Sequence, residues 1–559
     1  MSIAIHAPRY RRLTPFALLD DILTLLKPSL AKHKGCTIID LFPGEGLWSR
    51  KLHDVVQPKL HHIIEPVNSV HAKTWQEMVK TLGPEYILSP TSVNLDKVVQ
   101  ISDLHTLLPA SINEGSPDIF PPGSEQQTNN SVLFLVNLAR FPHKATTNKV
   151  PRHKSPNDAF THLMLEQFRH RSGFQKDGAI RALMWTTQND KYVTLPRTIL
   201  KRSAKDGDFQ EVYFGQEIAC EHGHEFMGRR PPVQDVESAD QTLARMQEQG
   251  IEIPAHRRSK MHQALLDSFA EAKGKHELPQ LMQDVQEIYA LERVEVLGGF
   301  SEQQRGEEGD KRKRKNSAEV TRLAELRQKL DDLVDMKPFP ASQRKNTMSV
   351  VIATLNLFAY EQLLRRQYPD GPKLELHTDE ERTHMKSLQI AVEDAWNSHS
   401  GRERRRVNDI EAVIDNSEAL RLKLLDWDNR PYEPLGVLDS EFDPPYALAL
   451  LDYQPRPRPA FLKAGRSIIK TPFITLVRYH LESRIGLVLD QIAHGAAEAL
   501  LPQCPTISDP AKGGHVHLEH VRVRVLTYEM LVELNAAWEA WPFKLPDAVL
   551  KERMVQTYI

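Results

Sequence analysis

A glycine-rich turn flanked by two acidic side chains is the strongest chemical signal in the chain. The segment TIIDLFPGEG places Asp40 at the end of an apolar run and Gly44 and Gly46 in the turn after it. Glycines there let a ligand approach the backbone, and a following helix would offer free amide hydrogens. Glu65 ends the next apolar run, where a carboxylate can accept from a ribose diol. The spacing predicts a nucleoside-binding half-domain, with a tight structural turn as the alternative.

Other candidate centres are less specific. Cys220, His222 and His224 are close in sequence, but four zinc ligands are needed and no further Cys or His pair stands at a usual spacing. We therefore predict no metal site. Lys311 to Lys315 is a run of five basic residues flanked by acids, which favours a solvated loop over a phosphate-binding tether. No motif typical of a hydrolase or an ATPase is present.

The composition is that of an ordinary folded globular protein. The 559 residues are 40% hydrophobic and 26% charged, with a net charge of -2. Such a balance argues against a wholly basic nucleic-acid coat, although local basic patches remain compatible with it. No run of 18 apolar residues occurs, so we predict no membrane partner.

Alternating helical and strand-like patterns over residues 14–230 predict a mostly parallel, doubly wound α/β sheet. The helix is expected near Pro15 to Leu30. Strands are expected at the apolar runs Cys36 to Leu41, His61 to Glu65, Ser131 to Asn137 and Ile180 to Trp185.

Strand patterns are absent from residues 231–430, which we predict to be a helical insertion. Thr378 followed by Glu381 predicts a capping box there. A Gly- and charge-rich stretch predicts a disordered loop near residues 298–316. Aromatic and apolar residues return over 431–559, where Thr471 and Pro472 predict the start of a helix that reaches about Leu501.

Several segments together resemble one superfamily. The turn DLFPGEG at residues 40–46 resembles the first motif of the rRNA adenine dimethyltransferases, and Glu65 falls at the position of their ribose-binding acid. Five further segments are similar, more narrowly, to the fungal mitochondrial transcription factors of that superfamily: FLVNLARFP, ALMWTT, ALALLDYQP, DQIAHGAAEAL and WPFK. The resemblance spans residues 14–230 and 430–555.

The resemblance implies a Rossmann-like methyltransferase domain, with residues 431–559 as a small, mainly helical lid over a nucleic-acid cleft. It implies S-adenosylmethionine as the cofactor, bound around Asp40, Phe42, Gly44, Gly46 and Glu65. Phe42 replaces the glycine usual in the superfamily, and we expect its ring to fill the cofactor site.

The superfamily's fourth motif, Asn-Leu-Pro-aromatic, implies that Asn137 is the catalytic residue. Here Ala139 and Arg140 replace the proline and the aromatic residue. Without the aromatic ring, a flipped base loses stacking worth about 1–3 kcal/mol. Because of Phe42 and the negative charge of Glu45 beside the cofactor site, we expect weak or no S-adenosylmethionine binding, and because of the changed fourth motif we expect that methylation is lost.

The narrower resemblance implies a mitochondrial transcription initiation factor. Its expected partners are mitochondrial RNA polymerase and promoter DNA or RNA, and its expected activity is to assist promoter melting. Residues 144–176 contain seven basic and two acidic side chains, and the superfamily places this region beside the nucleic-acid cleft. Lys144, Lys149, Arg152 and Lys154 are therefore predicted phosphate contacts, with a solvated basic loop as the alternative.

Two other functions remain open. Asp40, Glu65 and Asn137 favour an active rRNA adenine N6-dimethyltransferase, and the same basic surface on RNA would suit a non-catalytic protein of mitochondrial ribosome assembly or structure. The resemblance to the mitochondrial transcription factors implies a location in the mitochondrial matrix. Residues 1–13, a possible targeting remnant, contain three arginines and no acid, as targeting segments do.

Overall fold

A computed structural model shows an α/β protein with one eight-stranded mixed sheet. The structure describes residues 12–13, 16–67, 69–91, 128–140, 155–170, 173–175, 178–188, 190–199, 202–222, 232–272, 279–288, 291, 309–333, 378–397, 424–443, 447–456, 471–509, 512, 514, 518 and 521–557. Lys144, Lys149, Arg152 and Lys154, together with residues 1–11, lie outside these ranges.

The strands of the main sheet are, in chain order, β1 Thr37–Leu41, β2 Leu60–Pro66, β3 Tyr86–Thr91, β4 Thr128–Asn137, β5 Ala179–Thr187, β6 Tyr213–Cys220, β7 Leu435–Gly436 and β8 Leu448–Pro455. Their order across the sheet is β3-β2-β1-β4-β5-β8-β6-β7. The neighbours from β3 to β5 are parallel, as are β6 and β7, whereas β8 is antiparallel to both β5 and β6. The order reverses between β1 and β4, which is the kind of switch point where open α/β sheets bind ligands.

The α-helices with assigned bounds are α1 Phe16–Leu30, α2 Leu47–Val56, α3 Ala72–Met78, α4 Pro156–His170, α5 Ala204–Val212, α6 Pro232–Gln249, α7 Lys260–Ala272, α8 Gly309–Leu333, α9 Asp379–Asn397, α10 Pro472–Tyr479, α11 Ile485–Ile492, α12 Ala496–Leu500, α13 Pro505–Ser508, α14 Tyr528–Ala540 and α15 Asp547–Thr557. In the described ranges, none of the helices combines the length and the apolar character needed to cross a membrane.

Helices cover both faces of the sheet. On one face, α1 and α2 share a buried cluster with Ile38 of β1 and Trp185 of β5, and helices α6, α7 and α8 join the same cluster. On the other face, α4 and α5 pack against alternate residues of the same strands, such as Ile39 and Phe134. The two clusters follow from the strand period of two, which sends successive side chains to opposite faces. This architecture is compatible with a Rossmann-like fold.

The segment predicted as a separate C-terminal domain contributes to the main sheet. Strand β8 lies between β5 and β6, and β7 pairs with the end of β6. The C-terminal domain therefore does not begin at residue 431 as a separate layer. A third cluster, built on α10 to α15, forms the core of the later residues and includes Phe473 and Trp538, whose rings stack with centroids 4.2 Å apart.

Both predicted helix starts are present in the structure. The predicted ends of one helix and of one loop differ from those observed. Thr378 and Glu381 form the reciprocal bonds of a capping box, at 3.1 and 3.0 Å. Thr471 caps α10, yet that helix ends at Tyr479 and does not reach Leu501. The predicted disordered loop is wrong at its C-terminal end, because α8 begins at Gly309 and therefore includes the basic run at 311–315.

A buried histidine near the sheet makes stability depend on pH. His33 is fully buried, and its Nδ1 donates to the carbonyl of Asn130 over 3.1 Å. Burial, and then the positive charge of Arg181, lowers the pKa of His33 to about 4. Between that value and the usual 6.5, the unfolded chain binds a proton that the folded chain does not, so stability falls as pH falls.

We expect His33 to account for about 2 kcal/mol of lost unfolding free energy between pH 7 and pH 5. In urea unfolding, the free energy of unfolding of His33→Gln should therefore fall less between pH 7 and pH 5 than that of the parent protein. The control is His256→Gln, at a side chain that is 63% exposed. Equal pH slopes for the parent and His33→Gln would contradict the assignment.

Candidate functional site

The predicted turn after β1 is held by an indole. Gly44 and Gly46 both have positive φ, 66° and 75°, as the sequence pattern requires. Trp75 of α3 donates from Nε1 to the carbonyl of Gly44 over 2.7 Å. A Cβ atom on Gly46 would lie within 2.6 Å of two ring carbons of Trp75. Gly46 is thus required by the packing of Trp75 and by its left-handed backbone, and it leads directly into α2.

The expectation that Phe42 fills the site is wrong. Phe42 has a φ of 61°, the left-handed conformation that a glycine would adopt most easily. Its ring is fully buried in the cluster with Leu41 and Ile64, on the sheet face opposite to α2. The apolar burial offsets the cost of the unusual backbone, which is about 1–2 kcal/mol for a residue with a Cβ. The ring does not line the pocket described next.

A pocket lies at the C-terminal ends of β1, β4 and β5, against the first turn of α2. Its lining brings together four of the predicted residues, Asp40, Gly44, Gly46 and Asn137. The other lining residues are Pro43, Glu45, Leu47, Trp48, Ser49, His71, Val136 and Trp185. The cavity has a volume of about 30 Å³. It therefore has room for one or two waters.

Glu65 lies outside this pocket. Its side chain is buried and accepts a hydrogen bond from the hydroxyl of Ser69. Ser69 is placed there by a turn in which its amide donates to the carbonyl of Pro66 over 2.9 Å. The carboxylate predicted to bind a ribose is thus bonded to its own chain.

Four buried polar atoms of the pocket residues have no hydrogen-bond partner within the described chain. They are Trp48 Nε1, Ser49 Oγ, Asn137 Oδ1 and Trp185 Nε1. The two indole rings meet edge to face with centroids 6.1 Å apart. Buried polar groups are nearly always satisfied in folded proteins, so we expect these four atoms to bond to ordered water or to neighbouring groups.

A line of ionisable groups leads from the pocket to the surface. Asp40 lies 3.3 Å from Nε2 of His61, and Nδ1 of His61 lies 3.1 Å from Nδ1 of His53. His53 in turn is 3.7 Å from the carboxylate of Glu85, and Tyr86 stacks on both imidazoles. Burial and the neighbouring His61 lower the pKa of His53. Asp40 is therefore oriented by His61.

Trp48, Ser49 and Trp185 were not singled out from the sequence. The available signal was position: Trp48 and Ser49 follow the glycine turn at once, and Trp185 comes near the end of a predicted strand. After Asn137, residues 138–140 form a turn of 3-10 helix in which Leu138 and Ala139 are buried.

No group of His, Cys, Asp and Glu suited to a metal ion occurs among the residues that the structure describes. Cys220 is buried, and His222 Nε2 lies 3.2 Å from the carbonyl oxygen of Pro434. His224 is outside the described ranges. A scan against protein-family models and a search of curated proteins found no match to this chain.

Proposed function

We propose that this protein is a mitochondrial transcription initiation factor on a methyltransferase-like scaffold, which binds mitochondrial RNA polymerase and promoter DNA, assists melting and does not methylate. The observation that carries the proposal is that only one of two matched residues lines the pocket. Asn137, which matches the superfamily's base-binding asparagine, lines it. Glu65, which matches the superfamily's ribose-binding acid, lies outside it and accepts a hydrogen bond from Ser69.

The residues around the pocket fit S-adenosylmethionine poorly. A ribose would need the Glu65 carboxylate, which is buried and bonded within its own turn. The carboxylate of Glu45, which belongs to the lining, would also repel the carboxylate of the methionine moiety.

The same pocket suits contact with one unpaired base of a melted strand. Its lining includes the indoles of Trp48 and Trp185 together with Asn137. Aromatic side chains and hydrogen-bonding groups are what proteins use to hold a base outside the duplex. A protein that holds such a base stabilises the open promoter relative to the closed one.

The test compares cofactor binding with promoter opening. We expect no heat of binding in isothermal titration with S-adenosylmethionine, which corresponds to a Kd weaker than about 1 mM. We expect affinity purification from mitochondria to recover the RNA polymerase. Initiation by that polymerase from duplex promoter should need the protein, whereas a template opened beforehand around the start site should need it much less.

The alternatives predict different results. Tight S-adenosylmethionine binding with methyl transfer to an rRNA hairpin would establish the dimethyltransferase, which Asp40 and Asn137 favour because both line one pocket. Recovery of ribosomal proteins without the polymerase would reject the transcription role in favour of ribosome assembly or structure.

A further inference from the structure

The basic run at residues 311–315 belongs to a helix. Helix α8 has 25 residues and begins at Gly309, so all five basic residues stand in its first two turns. Because an α-helix has about 3.6 residues per turn, five consecutive residues pass around its whole circumference. These turns therefore have basic residues on every face, whichever way the helix is rotated about its axis.

The C-terminal half of α8 anchors the helix to the body of the protein. Its buried side chains recur at helical spacing in the cluster shared with α6 and α7, and they are Leu323, Leu326 and Leu330. On the outer side, Arg322 donates to both carboxylate oxygens of Glu287, over 2.9 and 3.1 Å. Residues 322–333 contain three basic and three acidic side chains. This half is therefore fixed by packing and has no net charge.

The N-terminal half has no apolar stripe with which to pack in the same way. The positions that continue the leucine stripe toward the N-terminus are Val320, Asn316, Arg312 and Lys313. Ala318 and Thr321, between the run and the anchored half, are exposed. Residues 309–321 contain five basic and two acidic residues, a net charge of +3. The apolar stripe thus ends near Val320, and the basic turns lie beyond it.

These charges are unfavourable within a helix that has no ligand. Lys311 lies three residues before Arg314 and four before Lys315. Like charges at these spacings destabilise a helix, and so do cations in its first turns. A bound polyanion removes this repulsion. The run therefore favours a ligand with closely spaced negative charges.

Duplex DNA has both the charge and the shape that these turns require. It presents one negative charge per about 1.7 Å of its axis. Its major groove is about 12 Å wide and admits an α-helix, with phosphates on both walls. Basic residues around the whole circumference can approach both walls at once, whereas a flat anionic surface would meet only one face of the helix.

We infer that the first turns of α8 are a binding element for duplex DNA, which enter the major groove and contact phosphates on both walls. The contacts are independent of base sequence, because phosphates are the same at every step. The inference rests on the proposed binding of promoter DNA, but it can be tested on the full chain without polymerase.

Fluorescence anisotropy over a series of salt concentrations measures this binding, with a mixed-sequence DNA duplex of about 20 base pairs. Replacing all five basic residues of the run by glutamine should weaken binding at least about tenfold at about 0.1 M salt. The slope of log K against log salt should become shallower by about 4, since each lost phosphate contact removes about 0.9. The control removes three charges elsewhere, at side chains that are 39–50% exposed, in the combined variant Arg322→Gln, Lys512→Gln and Lys544→Gln. Its slope should stay within about 1 of the parent's.

Two further comparisons separate a helix in a groove from a flexible basic tether. Asn316→Pro keeps all five charges but interrupts α8 between the run and the anchored half, and it should weaken binding about fivefold. An RNA duplex of the same length has a deep, narrow major groove that does not admit a helix. We expect it to bind about tenfold more weakly than the DNA duplex at the same salt concentration.

Each outcome decides the inference. No binding of DNA by the parent, or unchanged binding by a glutamine variant with the parent's melting temperature, would overturn it. Equal affinities for the two duplexes, or parent-like binding by Asn316→Pro, would overturn it in favour of a tether for any polyanion. If the glutamine variant fails to fold, these last two comparisons decide. Polymerase recovery with unchanged DNA binding in the glutamine variant would leave the proposed function standing, whereas lost DNA binding without polymerase recovery would reject that function alone.

Discussion

Replacing Arg181 by methionine should lower the free energy of unfolding by about 3–5 kcal/mol. Arg181 of β5 donates from Nε and Nη2 to the two carboxylate oxygens of Asp452 in β8, over 2.8 and 2.6 Å, and both side chains are fully buried. Its Nη1 also donates to the carbonyl of Ser29, over 3.0 Å. Removing the guanidinium leaves the Asp452 carboxylate buried without its charge partner, which is the costly case.

Urea unfolding followed by circular dichroism measures this loss. The double variant Arg181→Met with Asp452→Leu should recover much of it, because no buried charge is left alone. Lys51→Met is the surface control, since its partner Asp20 is 61% exposed, and it should cost less than about 1 kcal/mol. A loss below about 1 kcal/mol for Arg181→Met alone would show that the pair does not hold β8 in the sheet.

Gly46→Ala should destabilise the protein by about 2–5 kcal/mol. One part of the cost, about 1–2 kcal/mol, comes from placing a Cβ on a residue with a φ of 75°. The other part, about 1–3 kcal/mol, comes from the overlap of that Cβ with the Trp75 ring. The indole must move, and its hydrogen bond to Gly44 is lost with it.

Gly35 offers a control with nearly the same backbone. Its φ is 74°, and a Cβ there would meet nothing within 4 Å. Gly35→Ala should therefore show only the backbone cost, and the difference between the two variants measures the contact with Trp75. Thermal unfolding of both variants provides the comparison. Equal losses would mean that the Trp75 ring yields without cost.

Strands with continuous apolar runs were predictable, and those with polar interiors were not. β1, β2, β4 and β5 match the expected segments to within a few residues. β6 was missed because Gln216 and Glu217 interrupt its pattern. The structure explains the interruption, since Glu217 is buried between Arg197 and Lys191, whose charges keep the pKa of this carboxyl far below its usual range.

The position of β8 also escaped sequence analysis, for a different reason. Its partners lie more than 200 residues earlier in the chain, and periodicity contains no information about such pairing. The segment was therefore assigned to the C-terminal domain.

The candidate site was predictable where the backbone determines it. Gly44, Gly46 and Asp40 occupy the turn and strand end that their spacing indicates. Phe42 and Glu65 lie outside the pocket lining, because a side chain's direction depends on its own φ and on its nearest turn, which a motif does not specify. The indoles of Trp48 and Trp185 converge only through the packing of α2 on β5.

The place of β8 in the sheet has a consequence for synthesis. Arg181 and Asp452 are 271 residues apart, so the facing edges of β5 and β6 cannot be joined until the ribosome has passed Pro455. At the usual 5–20 residues per second, the interval after Cys220 is about 10–50 s. Two open strand edges exposed for that time can pair with other chains. We therefore expect the nascent protein to be most prone to aggregation in this interval, before the last strand is made.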